Sequence, residues 1–239
     1  MTRLDPRLLL QGYASGIFPM ADSRAADELF WVEPKNRAII PLDGFHVSRS
    51  LRRTLRSGKF DVTRDRDFAG VIAGCADREE TWINADLERA MLALHGSGHA
   101  HSVEVWQSGA LVGGVYGVKL GRAFFGESMF SRVTDASKVA LAWLVARLKA
   151  GNFTLLDCQF MTEHLASLGA VSISRETYVA LLSVAVGGAA GFAGAPALGR
   201  VPDAPPDFAA LDRLLELTGA AGAGGPAGKV ISQLLGQTS

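Results

Sequence analysis

The sequence holds only two cysteines in 239 residues, Cys75 and Cys158. Two isolated thiols make no disulfide framework and their spacing matches no zinc site, so both read as reduced, buried thiols. Long apolar runs are also missing: no window approaches the roughly 18 residues that would suggest a membrane span. Residues 1–21 carry Arg3, Asp5 and Arg7 and lack the uninterrupted apolar stretch of a secretory signal. The expectation from these absences is a cytoplasmic protein. Net charge is absent too, since 24 Lys and Arg balance 24 Asp and Glu. Any nucleic acid must then be held by a local basic patch. Ser128, Ser131 and Ser137 lie in no Gly-x-Ser-x-Gly context, which leaves a hydrolase triad without an anchor. His95, His99 and His101 flank the turn Gly96-Ser97-Gly98, with no carboxylate or cysteine following at ligand spacing. No metal is expected there.

What is present is ordinary globular composition, 48% hydrophobic and 20% charged, in a chain long enough for one large domain or two modest ones. Asp5-Pro6 reads as a helix N-cap with proline in the first turn, and that helix stops near Gly16. Residues 20–45 read as loops and short strands. Helices are expected over 48–58, 66–75 and from the cap Asn84 to Gly96 or Gly98. From His101 the period changes to two: strands over 101–106, 111–118 and 122–129, then a long helix over 135–149. A strand at 153–159, a short helix at 163–168, a strand at 171–174 and a helix at 175–186 follow. The order β-β-β-α-β-α-β-α is that of the acetyltransferase-like (GNAT) core. Residues 187–228 are dominated by Gly, Ala and Pro, with one helical island at 207–217. That composition suggests a flexible or loosely packed extension, while an apolar stripe at 230–235 is positioned to dock back on the body.

Four groups of residues could carry chemistry. Arg49, Arg52, Arg53 and Arg56 fall at i, i+3, i+4 and i+7 on one helix face, with Leu51 and Leu55 on another. Four guanidiniums on one stripe repel unless an anion sits against them, and nucleic-acid phosphates are the natural counter-charge. A solvated helix face is the plain alternative. Trp82, in a turn before a helix, could stack on an unpaired base or simply pack. Glu127 ends the apolar strand Ala123-Phe124-Phe125. There a carboxylate could hold an ammonium group, take up a proton or cap the next helix. Asp157 and Gln159 share one side of their strand, with Cys158 opposite. The Asp could fix the Gln amide so that its oxygen faces an incoming donor, or both could cap the following loop. The turn before the long helix, 131–138, contains no glycine, so a pyrophosphate cradle for acyl-CoA is disfavoured.

The segments Gly16-Ile17-Phe18-Pro19, Phe45-His46-Val47-Ser48-Arg49-Ser50, Thr81-Trp82-Ile83, Gly98 through Trp106, Gly126 through Arg132, Ala136-Ser137-Lys138 and Asp157-Cys158-Gln159 together resemble the leucyl/phenylalanyl-tRNA–protein transferase family. Singly none is specific; seven in this order are. The resemblance implies an α+β chain with three parts. A small N-terminal α/β domain (1–62) precedes a GNAT-like mixed-sheet catalytic domain (63–186), and residues 187–239 form a Gly/Ala/Pro-rich extension. It implies transfer of Leu or Phe, and less readily Met, from aminoacyl-tRNA to proteins beginning with Arg or Lys, marking them for degradation, with no cofactor, ATP or metal. Asp157 and Gln159 match the family's reaction-centre pair and Glu127 its pocket carboxylate. Val115, Phe124, Met129, Leu141 and Leu144 match positions lining the side-chain pocket. Arg49, Arg53 and Arg56 match positions contacting the tRNA acceptor stem, and Trp82 an aromatic beside the terminal adenosine. Met20 stands where some members place a tryptophan, so stacking there should be weaker. Val115 is smaller than the Met of some members, which makes the pocket roomier. A monomer is the default expectation. An acyl-CoA-dependent GNAT enzyme and a non-catalytic RNA-binding protein are the alternatives.

Overall fold

Apolar–polar alternation from residue 100 onward becomes three long antiparallel strands, β5 (Ala100–Gln107), β6 (Ala110–Leu120) and β7 (Ala123–Ser131), joined by tight turns. In this computed structural model, which describes residues 4–187, 202–220 and 226–236, they form the centre of a seven-stranded mixed sheet. Upstream of them come α1 (Pro6–Ala14), the hairpin β1 (Phe18–Met20)–β2 (Phe30–Val32), and β3 (Asn36–Ile39). Then follow α2 (Arg49–Arg56), β4 (Asp61–Arg64), α3 (Phe68–Ala76) and α4 (Ala85–Gly96). Downstream lie α5 (Ala136–Ala150), β8 (Leu155–Gln159), α6 (Glu163–Ser167), β9 (Val171–Ser174), α7 (Arg175–Ala185), α8 (Ala210–Leu217) and α9 (Pro226–Gly236).

The strand order is β4-β5-β6-β7-β8-β3-β9. Only β7 and β8 run parallel, as expected for strands joined through the crossover helix α5. Helix starts follow the side chains that cap them: Asp5, Ser48, Asn84 and Ser174 each accept a hydrogen bond from a first-turn amide. Adjacent residues on a strand point to opposite faces, so Phe124 enters one core and Phe125 the other. The Phe124 core lies under α2, α5, α8 and α9; the Phe125 core lies under α1, α3, α4 and α7. Helix α5 is buried almost all round, so its apolar residues occupy most of its faces.

Two strands were not legible as sheet members. β4 has no apolar alternation and gains its place by pairing with β5 at the sheet edge. β3, inside the segment expected to hold loops and short strands, is inserted between β8 and β9. The C-terminal segment is packed more tightly than expected over its described residues up to 228, and its apolar stripe at 230–235 docks on the body as expected. In its described parts, Phe208, Leu211 and Ile231 are buried in the α5-side core. Asp212 ties Arg147 and Arg64 together at 2.6–2.9 Å. Its small residues allow close approach to the body rather than freedom from it. The remainder of that segment, residues 188–201, 221–225 and 237–239, lies outside the described residues.

Candidate active site

Pairing between β7 and β8 stops at Phe125 and Asp157, although β7 continues to Ser131 and β8 to Gln159. The two strands splay, and the polar residues identified from the sequence sit at the fork. Glu127 reaches it because β7 carries a bulge. Tyr116 pairs with Ser128 and Gly117 with Gly126, leaving Glu127 as the extra residue. Gly117 is required there, since a Cβ would lie 2.2 Å from the Phe125 carbonyl oxygen.

Across the fork, Gln159 Nε2 donates to Glu127 Oε1 at 2.8 Å. Gln159 holds a left-handed backbone, φ 63°, a region that non-glycine residues rarely adopt. Its own amide N–H donates to Asp157 Oδ1 at 2.8 Å and fixes that conformation. Asp157 thus sets the Gln159 backbone, while Glu127 sets its side chain. This corrects the expectation that the aspartate would orient the glutamine amide directly. With the nitrogen engaged, the amide oxygen is the atom left to face a substrate donor.

Asp157 itself is fully enclosed. Arg37 donates from Nε (2.9 Å) and Nη2 (2.6 Å), and the Tyr178 hydroxyl donates at 2.8 Å. With the Gln159 amide, these four bonds occupy both carboxylate oxygens and leave no site to accept a substrate proton. Arg37 is 1% exposed, and its guanidinium lies 4.6 Å from the ring centroids of both Phe18 and Tyr178. Stacking between two rings and bidentate pairing together offset the cost of burying that charge. Arg37 and Tyr178 were missed in the sequence. An arginine opening the apolar run Ala38-Ile39-Ile40 is the one signal that could have raised Arg37, and its partner lies 120 residues away.

Glu127 is the opposite case. Burial pushes its pKa up to about 8, partly offset by the Tyr13 hydroxyl and by Arg37 and raised further by the charge of Asp157. Near neutral pH it is mainly a neutral acid. Tyr13 is stacked on Phe125, with ring centroids 4.8 Å apart. Its hydroxyl and Glu127 Oε2 are both buried without a hydrogen bond of ordinary geometry, although the hydroxyl is near enough to lower the carboxyl pKa. A carboxyl oxygen in this state is primed for an incoming partner. Cys158 points into the opposite core, and burial raises its thiol pKa, which suits a structural thiol rather than a nucleophile.

The five residues expected to line a side-chain pocket fall in one cluster, with Met129 only partly buried against it. Val115, Phe124, Leu141 and Leu144 are buried together on the α5 side of the sheet, with Phe208 stacked on Phe124 at 5.3 Å. Met129 is partly buried and lines a cavity of about 430 Å³ with Arg78, Ser137 and His164. Burial lowers the His164 pKa, and Lys138 lowers it further. Arg49, Arg53 and Arg56 are exposed on α2 and, with Arg52, line a cleft of about 430 Å³. Among the described residues no carboxylate pairs with any of the four. Met20 and Trp82 lie elsewhere, where the amide of Ala21, next to Met20, donates to the Trp82 carbonyl at 3.2 Å. Both pack on the Phe125-side core, and Phe30, 42% exposed, faces Met20 across the hairpin. Of the three histidines, His101 Nδ1 meets Asp65 at 2.8 Å, while His95 Nδ1 meets the Ala100 carbonyl at 2.9 Å and lies 4.0 Å from Asp65.

An amide held on both sides beside a buried carboxyl is an arrangement suited to positioning reactants. The chain belongs to the leucyl/phenylalanyl-tRNA protein transferase family, whose model matches residues 39–183, with the N-terminal domain of that family matching residues 2–35. It is thereby an aminoacyltransferase. A leucyl/phenylalanyl-tRNA–protein transferase of Rhizorhabdus wittichii is 58% identical over 248 residues, covering all of both chains. Those of Zymomonas mobilis and Ruegeria pomeroyi are each 62% identical, over 77% and 80% of this chain and 70% and 90% of their own. Among solved structures, L-PGS from Bacillus licheniformis aligns with a TM-score of 0.38 and 14% identity. That alignment covers 65% of this chain and 53% of the other, and it is too slight to bear on the fold.

Proposed function

We propose that the protein transfers Leu or Phe, and less readily Met, from aminoacyl-tRNA to the N-terminal α-amine of proteins beginning with Arg or Lys. The product then carries a bulky apolar N-terminus that marks it for degradation. The observation that carries this reading is Gln159 held by Glu127 and Asp157 at the strand fork, with its amide oxygen unengaged. The aminoacyl ester is already activated, and exchange of an ester for an amide runs downhill without ATP. The acceptor amine, with a reference pKa of roughly 8, is partly neutral near pH 7 and can attack. Gln159 Oε1 accepts a hydrogen bond from that amine and aims its lone pair at the ester carbon. As the C–N bond forms, the ester C–O bond breaks and the tRNA 3′ end leaves as a hydroxyl, taking up the proton that the amine loses. A glutamine is no strong base, so its contribution is orientation. Glu127, neutral when the site is empty, ionises on meeting the ammonium group of the donor amino acid and holds it.

The same reading assigns the donor side chain to a pocket formed by Val115, Phe124, Met129, Leu141 and Leu144, where unbranched and γ-branched groups fit best. Arg49, Arg53 and Arg56 bind acceptor-stem phosphates, and Trp82 with Met20 holds the terminal adenosine. A GNAT-like sheet, with its fork at β7 and β8, a monomeric state and a cytoplasmic location complete the proposal. The test is single-turnover transfer of labelled Leu from Leu-tRNA to matched peptides beginning with Arg, Lys, Asp or Ala. Label on the Arg and Lys peptides alone is expected; label on all four, or on none, refutes the acceptor or the donor assignment respectively.

A further inference from the structure

Helix α2 is a poor helix on its own. It has eight residues, and its arginines at i and i+4 repel one another, whereas isolated helices shorter than about 12 residues are already marginal in water. Its apolar face consists of Leu51 and Leu55. Those two side chains are covered by the C-terminal helix α9, which lies outside both matched family segments. In α9, Ala227, Ile231 and Leu235 recur every fourth residue and are buried in the same core as Leu51, Leu55 and the α5 side chains. The helix backbones touch: a Cβ on Gly228 would lie 1.8 Å from the Leu55 carbonyl oxygen and 3.4 Å from the Arg56 Cα. Contact that close needs glycine at the crossing, and it occurs at the last turn of α2, where Arg53 and Arg56 sit.

We infer that α9 is a brace that sets the position of the arginine helix, so that the C-terminal segment controls affinity for the tRNA body while leaving the chemical step alone. Gly228 and Ile231 are positioning residues, and the inference rests on the reading that α2 binds the acceptor stem. The experiment compares two donors on the full-length protein: Leu-tRNA and 3′-leucyl-adenosine, which has no stem. Gly228→Val is expected to raise the KM for Leu-tRNA by about tenfold, the order expected for losing a phosphate contact or two. It should leave kcat/KM for leucyl-adenosine unchanged. The Arg49→Ala/Arg53→Ala double variant should likewise raise the KM for Leu-tRNA. Adding Gly228→Val to it should cost much less than in the parent, because both act through one surface.

If the arginine variant raises KM and Gly228→Val does not, the brace is refuted and the tRNA surface stands. If the arginine variant leaves KM unchanged, the tRNA assignment fails and the brace fails with it. An equal loss with both donors would make α9 a general support of the fold and overturn the inference. Ile231→Ala, which opens a cavity without a backbone clash, provides the same comparison should Gly228→Val not fold.

Discussion

Gln159 holds its side chain on a left-handed backbone, and two different neighbours divide the task of fixing it. Asparagine tolerates that backbone region better than most residues but is one methylene shorter. Gln159→Asn should therefore leave stability within about 1 kcal/mol while transfer falls by about 10²-fold, because the amide no longer spans the fork. Chemical denaturation and single-turnover rates on the same sample check this. Arg37→Met leaves Asp157 buried without its cation, and a loss of about 3–5 kcal/mol is expected in urea titration. Glu127 makes stability depend on pH. Its carboxyl binds a proton more tightly when folded (pKa about 8) than in its ordinary state at 4.5. The folded protein therefore carries the extra proton between those values. That contribution is complete below about pH 4.5 and declines as pH rises to about 8, by at most about 1.4 kcal/mol per pH unit. Thermal melts across that range should show a shallower decline for Glu127→Gln than for the parent protein.

At the scale of elements, Phe208 pins the extension to the sheet. It stacks on Phe124 and on His101, and its carbonyl accepts from the buried Arg147 at 2.8 Å. Phe208→Ala should cost about 3–5 kcal/mol, read as a lowered denaturant midpoint. The sequence disclosed α1, α4 and β5 because each carries its own cap or period, and β6, β7 and α5 because their apolar runs are bounded by turn residues. Asp5 and Asn84 mark helix starts, and Val103 and Val105 alternate with polar neighbours. It did not disclose that β3 and β4 join the sheet. Four residues with no apolar alternation, Asp61–Arg64, acquire strand conformation only by pairing with β5. Nor did the glycine and alanine before residue 229 announce packing, since small residues serve close contact and freedom equally well, whereas the apolar stripe at 230–235 did.

Across the whole molecule, the parts of the site that were legible are those that lie together in the chain, such as Asp157 with Gln159. Glu127 was visible as a carboxylate at the end of an apolar strand. Its partnership with Gln159 was not, because a bulge and a strand splay create it. Arg37, Tyr13 and Tyr178 belong to three separate elements and converge only in the folded state. The insertion of β3 between β8 and β9 has a consequence for how the molecule comes into being. Arg37 and its strand leave the ribosome early and have nothing to pair with until residues 155–174 follow. Until then Arg37 and both edges of its strand lack their native partners, and Asp157 and Gln159 are not yet present. The topology makes this enzyme all or none in time as well as in space.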